Sequence, residues 1–273
     1  MNHTPTGADP GSNPGPAPAS ATAPTAEPAA APRLRVDGLT VRFGGLTALD
    51  DVSFEVGAGE VVALIGPNGA GKTTVFNAVC GLVRRASGSI ELDGSTAPRR
   101  PVGLVARGAA RTLQGLGLFD SMTAIENALV PLAAGPVGGG RSEVERMSRA
   151  TACLDRLGIA HLASRPVAAL PYPERKRVAL ARALVTEPSL LLLDEPAGGL
   201  GEDDIDALAA VVREVAASGC SVLLVEHHVD FVMGVADRIV VLDFGRVIAA
   251  GAPDEVRADP KVEEAYLGIE PAA

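Results

Sequence analysis

Residues 61–73 read VVALIGPNGAGKT, and the fold turns on how that stretch is read. VVALIG is a continuous apolar, largely β-branched run, the pattern of a strand buried on both faces. It opens directly into glycines at 66, 69 and 71, where the chain can turn successive backbone N–H groups inward. Gly66 to Thr73 fits G-x-x-x-x-G-K-[ST], and KTTVFNAVCGLV continues as a helix whose N-terminus faces the same point. Strand, glycine loop and helix together make a cradle for a chain of phosphates. The candidate binding residues are Gly66, Pro67, Asn68, Gly69, Ala70, Gly71, Lys72, Thr73 and Thr74. Lys72 supplies a cation for the β- and γ-phosphates of ATP, and the Thr73 hydroxyl can ligate Mg2+.

Outward from this loop, SLLLLDEP (189–196) supplies a second buried strand that ends in acids. Asp194 is placed to hold Mg2+, and Glu195, one residue on, to orient or deprotonate an attacking water. SVLLVEH and DRIVVLDFGRVIAAG add further strands separated by helices, so a parallel sheet covered on both faces is expected. Before the loop, RLRVDGLTVRF and LDDVSFEVGAGE alternate apolar and polar residues around glycine turns, as antiparallel strands do. From about 105 to 185 the pattern reads as helical. Within it Val144, Met147, Thr151, Leu154 and Leu157 form a stripe expected to pack into the core, with Gly158 as a C-terminal stop.

Bulk properties narrow the function. The net charge of −9 argues against broad nucleic-acid binding, which needs a basic face. No apolar run approaches the ~18 residues of a membrane helix. Cys80, Cys153 and Cys220 lie far apart and read as buried thiols rather than metal ligands. Residues 1–32, rich in Pro and Ala, have neither the basic start nor the apolar centre of a signal peptide and read as a disordered tail.

With both phosphate-site halves in this order, the chain resembles the ATP-binding subunits of ABC transporters over residues 33–267. The resemblance implies an α/β fold: a P-loop NTPase with a RecA-like parallel-sheet core, an antiparallel β subdomain and an α-helical subdomain at about 115–185. Residues 268–273 are left as a C-terminal tail. It also implies roles. Phe43 matches an aromatic that stacks on adenine, the other reading being a strand core residue. Gln114 joins core and helical lobe and reaches toward Mg2+ and water. His227 contacts the γ-phosphate, while His228 is structural. Among ABC subunits the chain looks most like those of branched-chain amino acid importers, by RTLQ…LFDSMTAIENALV, by VEHHVDFVMGVADRIVVLDFGRVIAAG and by GAPDEVRADPKVEEAYLG. Close relatives import urea or short amides, and non-transport or regulatory ABC ATPases are the remaining alternatives. The implied partners are a second ATPase subunit, transmembrane permease subunits and, indirectly, a solute-binding protein, at the cytoplasmic face of the cell membrane. LGLF (116–119) and DSMTAIENALV (120–130) are candidates either for permease docking or for internal packing.

One stretch departs from the family. The signature LSGGQ, which contacts the ATP of the opposite subunit, falls on Leu170, Pro171, Tyr172, Pro173 and Glu174. Pro171 lacks the hydroxyl and Pro173 lacks a backbone N–H, although Pro173 suits the first turn of a helix. Gly201 stands where the family often has Asp or Asn. The expectation is a heterodimer in which this chain completes its own ATP site and weakens the partner's. Arg175, Lys176 and Arg177 are expected to form a solvated basic face.

Overall fold

The computed structural model describes residues 31–113, 115–133 and 140–267. Almost all of the expected N-terminal tail, the C-terminal tail at 268–273 and Gln114 lie outside the described residues.

Two sheets carry the structure. The first is antiparallel, in the order β2-β1-β4-β5, from β1 (Leu34–Phe43), β2 (Leu46–Val56), β4 (Ser87–Leu92) and β5 (Ser95–Thr96). The second has six strands in the order β10-β9-β3-β8-β7-β6. Its parallel part comprises β9 (Arg238–Asp243), β3 (Val61–Ile65), β8 (Ser221–Val225), β7 (Leu190–Asp194) and β6 (Ala109–Arg111). Edge strand β10 (Arg246–Gly251) returns antiparallel to β9.

The apolar runs read as doubly buried strands are just that, because alternate side chains enter two different cores. Ala63, Leu191, Leu193, Val222, Leu224, Ile239 and Val241 pack with the helices of one side. Val62, Leu64, Leu190, Leu192, Leu223, Val225, Val240 and Leu242 face the other side, with the antiparallel sheet and helix α1 (Lys72–Val79). β6 interrupts the stretch read as helical from 105. Three small residues carry too little pattern to announce a strand, and the pairing of Ala109–Arg111 with Leu190–Leu192 makes it one.

After the short α2 (Val102–Val105), the helical lobe holds α3 (Ala124–Ala133), α4 (Glu143–Arg156) and α5 (Tyr172–Leu184). α4 starts at a Ser142–Glu145 capping box, and Gly158 follows its end with φ 71°. Its expected stripe is only half right. Leu154 and Leu157 are buried, but Val144 is 78% exposed and Met147 and Thr151 also face solvent. The buried arc is centred on Ala150 and Leu154, and at about 100° per residue the first half of the stripe lies to one side of it. In the segment after Gln114, Leu116 is buried while Phe119 and Met122 are exposed. Wholly buried Asn127 holds that turn, accepting from the Phe119 N–H at 2.8 Å and donating to the Phe119 carbonyl at 3.1 Å.

The core is completed by α6 (Glu202–Ala217), α7 (Val229–Val235), α8 (Pro253–Arg257) and α9 (Pro260–Leu267). Among the described residues no helix is long and apolar enough to cross a membrane.

Candidate functional site

Adjacent parallel strands β3, β8 and β7 end on one edge of the sheet, where open α/β sheets gather their ligand sites. β3 delivers residues 66–74, β8 delivers Glu226 and His227, and β7 delivers Asp194 and Glu195. Residues far apart in the chain thus converge for a topological reason.

In the phosphate loop Gly66, Gly69 and Gly71 have φ of 148°, 85° and 105°. At Gly66 any Cβ would lie 2.1 Å from the Leu242 carbonyl oxygen, so only glycine fits there. Gly71 caps α1 in the left-handed region, which aims the first turn of the helix at the loop's hollow. Lys72 is buried, and its Nζ donates to the Gly66 and Pro67 carbonyls at 2.6 and 2.9 Å. Burial lowers its pKa, and the nearby Glu195 carboxylate pulls it back up. A lysine held against the loop's own oxygens is already in place to meet phosphate oxygens.

Asp194 is buried, with an Arg111 guanidinium nitrogen 3.8 Å from its carboxylate. Burial raises its pKa, Arg111 opposes the rise, and Glu195 and Glu226 add to it. The same guanidinium lies over the Phe76 ring of α1 at 5.1 Å, which fixes it beside the loop. Thr73 is exposed at the start of α1. A hydroxyl and a carboxylate are hard oxygen donors, and Mg2+ takes one or two such protein ligands beside phosphate oxygens. The donor set therefore fits Mg2+, which Thr73 and Asp194 would hold. Glu195 has φ 47°, a left-handed conformation that costs a non-glycine residue roughly 1 kcal/mol or more. Its N–H donates to the Val225 carbonyl at 2.9 Å, which holds the turn against β8.

His227 is exposed at the end of β8, and His228 is the structural N-cap of α7, accepting from the Phe231 N–H at 3.4 Å. Phe43 is 51% exposed at the end of β1, so it is no core aromatic.

Two residues to which the sequence assigns no role at this edge organise it. Glu226 is wholly buried. One carboxylate oxygen accepts from Ala197 N–H at 2.7 Å, and the other from His227 and His228 N–H at 2.8 and 3.1 Å. It ties the loop after Glu195 to the loop bearing His227. Lys176 is the second. Its Nζ donates to the carbonyls of Glu195, Pro196 and Gly198 at 3.2, 2.7 and 2.5 Å. Arg175 pairs with Asp120 and Arg177 with Asp204, each within 3.0 Å. The expected solvated basic face is therefore a set of clamps from α5 onto its neighbours. A buried acid directly after VLLV was the one available signal; nothing in the sequence gave the partners of Lys176.

The start of α5 is as the prolines require. Pro171 is the N-cap, with no side-chain cap bond, and Pro173 sits in the first turn. Tyr172 and Pro171 are exposed. At the far end of the chain, Tyr266 of α9 hydrogen-bonds the Gly66 backbone, and burial pushes its phenol pKa up.

This geometry has counterparts. Residues 49–198 match the family model described as ABC transporter, so the chain belongs to the ABC transporter family, as an ATP-binding cassette with ATPase chemistry. Within that family, residues 246–272 match the model described as branched-chain amino acid ATP-binding cassette transporter. The chain is 41% identical over 250 residues to the high-affinity branched-chain amino acid transport ATP-binding protein BraF of Pseudomonas aeruginosa, and 40% identical to LivG of Escherichia coli. Each match covers 87% of this chain and 98% of the relative. A nucleotide-free ATP-binding cassette from an ABC transporter superposes with TM-score 0.76 at 30% identity, covering 86% of this chain and 99% of that one. A cassette in its ADP conformation gives the same TM-score and identity, covering 87% and 99%.

Proposed function

We propose that this chain is the ATP-hydrolysing subunit of an importer for branched-chain amino acids, and that it works opposite a second, different ATPase subunit. The cargo rests on the likeness to BraF and LivG together with the C-terminal match at 246–272. In this reading residues 66–74 bind the phosphates of ATP, Phe43 stacks on adenine, and Thr73, Asp194 and Gln114 face Mg2+. Glu195 handles the attacking water and His227 the γ-phosphate. The cassette sits on transmembrane permease subunits at the cytoplasmic face of the membrane, and a separate solute-binding protein selects the cargo. Residues 33–267 act as one cassette.

The heterodimer is carried by one observation, the start of α5. The first turn of a helix offers its free N–H groups to an anion, but Pro173 has none to give and Pro171 has no hydroxyl. Glu174 also puts a carboxylate in that first turn. Two lost hydrogen bonds to a charged phosphate are worth roughly 1.5–3 kcal/mol each. A homodimer would carry this loss at both ATP sites. A heterodimer with an intact partner signature carries it at one.

The test is the mass of the Glu195→Gln protein with and without ATP and Mg2+, beside the same protein carrying Pro171→Ser and Pro173→Gly. Dimers from the repaired version alone are the expected result. Equal ATP-driven dimers from both refute the asymmetric pairing.

A further inference from the structure

Away from the nucleotide edge, the chain places three arginines around one concavity, with a fourth, Arg100, next to one of them in the chain. Arg84 and Arg85 follow the turn after α1, and Arg99 and Arg100 precede α2. Arg84, Arg85 and Arg99 line a hollow of about 580 Å³ together with Leu82, Val83 and Pro98. Gly81 explains how the segments come to share it. A Cβ there would lie 2.9 Å from the Pro98 carbonyl oxygen, the Arg99 carbonyl carbon and the Arg100 nitrogen, so the two backbones are in direct contact.

The arginines at the nucleotide edge and on α5 are spent on partners: Arg111, Arg175 and Arg177 each meet a carboxylate. Arg84, Arg85, Arg99 and Arg100 form no ion pair or side-chain hydrogen bond among the described residues. Residues 81–107 hold five arginines against two acids, and one of those, Asp93, is already paired with Arg33. In a protein of net charge −9 this is a local reversal of sign. Leu82, which lines the hollow, is 54% exposed, and Val102, two residues beyond Arg100, is 87% exposed.

We infer that this face is a docking surface for the headgroups of anionic phospholipids. Guanidinium forks suit phosphate oxygens in pairs, and they hold their charge at any physiological pH. Exposed leucine and valine beside them suit the boundary between headgroups and acyl chains, where an apolar side chain gains by burial. An acidic protein surface would use the arginines but leave Leu82 and Val102 without a role. That mixed chemistry favours a bilayer. The inference goes beyond ATP hydrolysis and does not depend on the pairing at α5 or on the cargo.

The experiment is co-sedimentation of the full chain with vesicles of phosphatidylcholine alone, and with vesicles of equal parts phosphatidylcholine and phosphatidylglycerol, at low ionic strength. Binding to the anionic vesicles only is expected, despite the protein's net negative charge. The variant Arg84→Gln/Arg85→Gln/Arg99→Gln/Arg100→Gln should then partition roughly six hundredfold less well, since each of the four basic residues near such a surface adds about a fivefold factor. Leu82→Ser/Val102→Ser should weaken binding while leaving its salt dependence in place. Every substituted position is exposed except half-buried Arg85, and an unchanged unfolding midpoint verifies that the variants fold. Equal binding to both vesicle types, no binding to either, or full binding by the arginine variant overturns the inference. Loss of permease co-purification in the arginine variant, without any wild-type vesicle binding, reassigns the face to a protein partner. Displacement by inorganic phosphate beyond that by chloride of equal ionic strength reassigns it to free phosphate.

Discussion

Glu226→Gln puts the organisation of the site to a quantitative test. The native carboxylate is wholly buried and receives three backbone N–H donors, from Ala197, His227 and His228. Glutamine has nearly the same shape but only one accepting oxygen; its NH2 is a donor. If the oxygen faces His227 and His228, the NH2 is left pointing at the Ala197 N–H, and in the opposite orientation two donors lose their acceptor. A buried donor without a partner costs about 1–3 kcal/mol. The surviving contacts also fall from charged to neutral hydrogen bonds, about 1 kcal/mol less each. The sum is roughly 3–5 kcal/mol, against a total stability of about 5–15 kcal/mol for a typical domain. Urea unfolding should show a lower midpoint with unchanged slope. Hydrogen exchange should speed up at the amides of 197, 227 and 228 rather than uniformly. ATP turnover should fall with it, because this side chain links the loop after Glu195 to the loop bearing His227. A variant within about 0.5 kcal/mol of the wild type, the size of an ordinary surface substitution, would refute the reasoning.

Two further outcomes follow from the same geometry. Lys176→Met removes the donor to three carbonyls of the loop after Asp194 but also relieves a cation whose pKa burial has lowered, so the net loss should be about 1–2 kcal/mol in the urea midpoint, with proteolysis at 196–201 as the local readout. Asp194→Asn should stabilise the protein at neutral pH while abolishing ATP turnover, a trade of stability for function. The folded pKa of Asp194 lies above its ordinary value, so the charged form is a cost that is present at neutral pH and relieved as pH falls through that raised pKa. The stabilisation of Asn over Asp, measured by unfolding across a pH series, should therefore shrink on acidification; growth on acidification would reverse the sign of the argument.

Much of this protein is written locally. Gly66 to Thr73 can be read because the loop's backbone demands glycine at set positions, and because the strand before it and the helix after it each carry their own pattern. The strands around Leu191, Val222 and Val240 are legible for a similar reason: burial on both faces leaves no polar alternation to confuse. Asp194 and Glu195 are recognisable as acids at such a strand's end, and the prolines at 171 and 173 announce both the helix they begin and the N–H they withhold. Other features exist only through partners remote in the chain. Ala109–Arg111 becomes a strand because β7 offers it a free edge. Val144 and Met147 lie outside the core because the neighbours of α4 cover a different arc. Lys176 looked like one member of a solvated basic run until tertiary packing set three carbonyls before it. Glu226 likewise was only an acid after a strand until the Ala197 loop closed over it. Backbone conformation and burial period are properties of a short segment, so sequence alone determined the phosphate loop, the strands and the acids. The electrostatic partner of a side chain is a property of the folded surface it meets, so only the tertiary structure decided which charges clamp the site and which are left free.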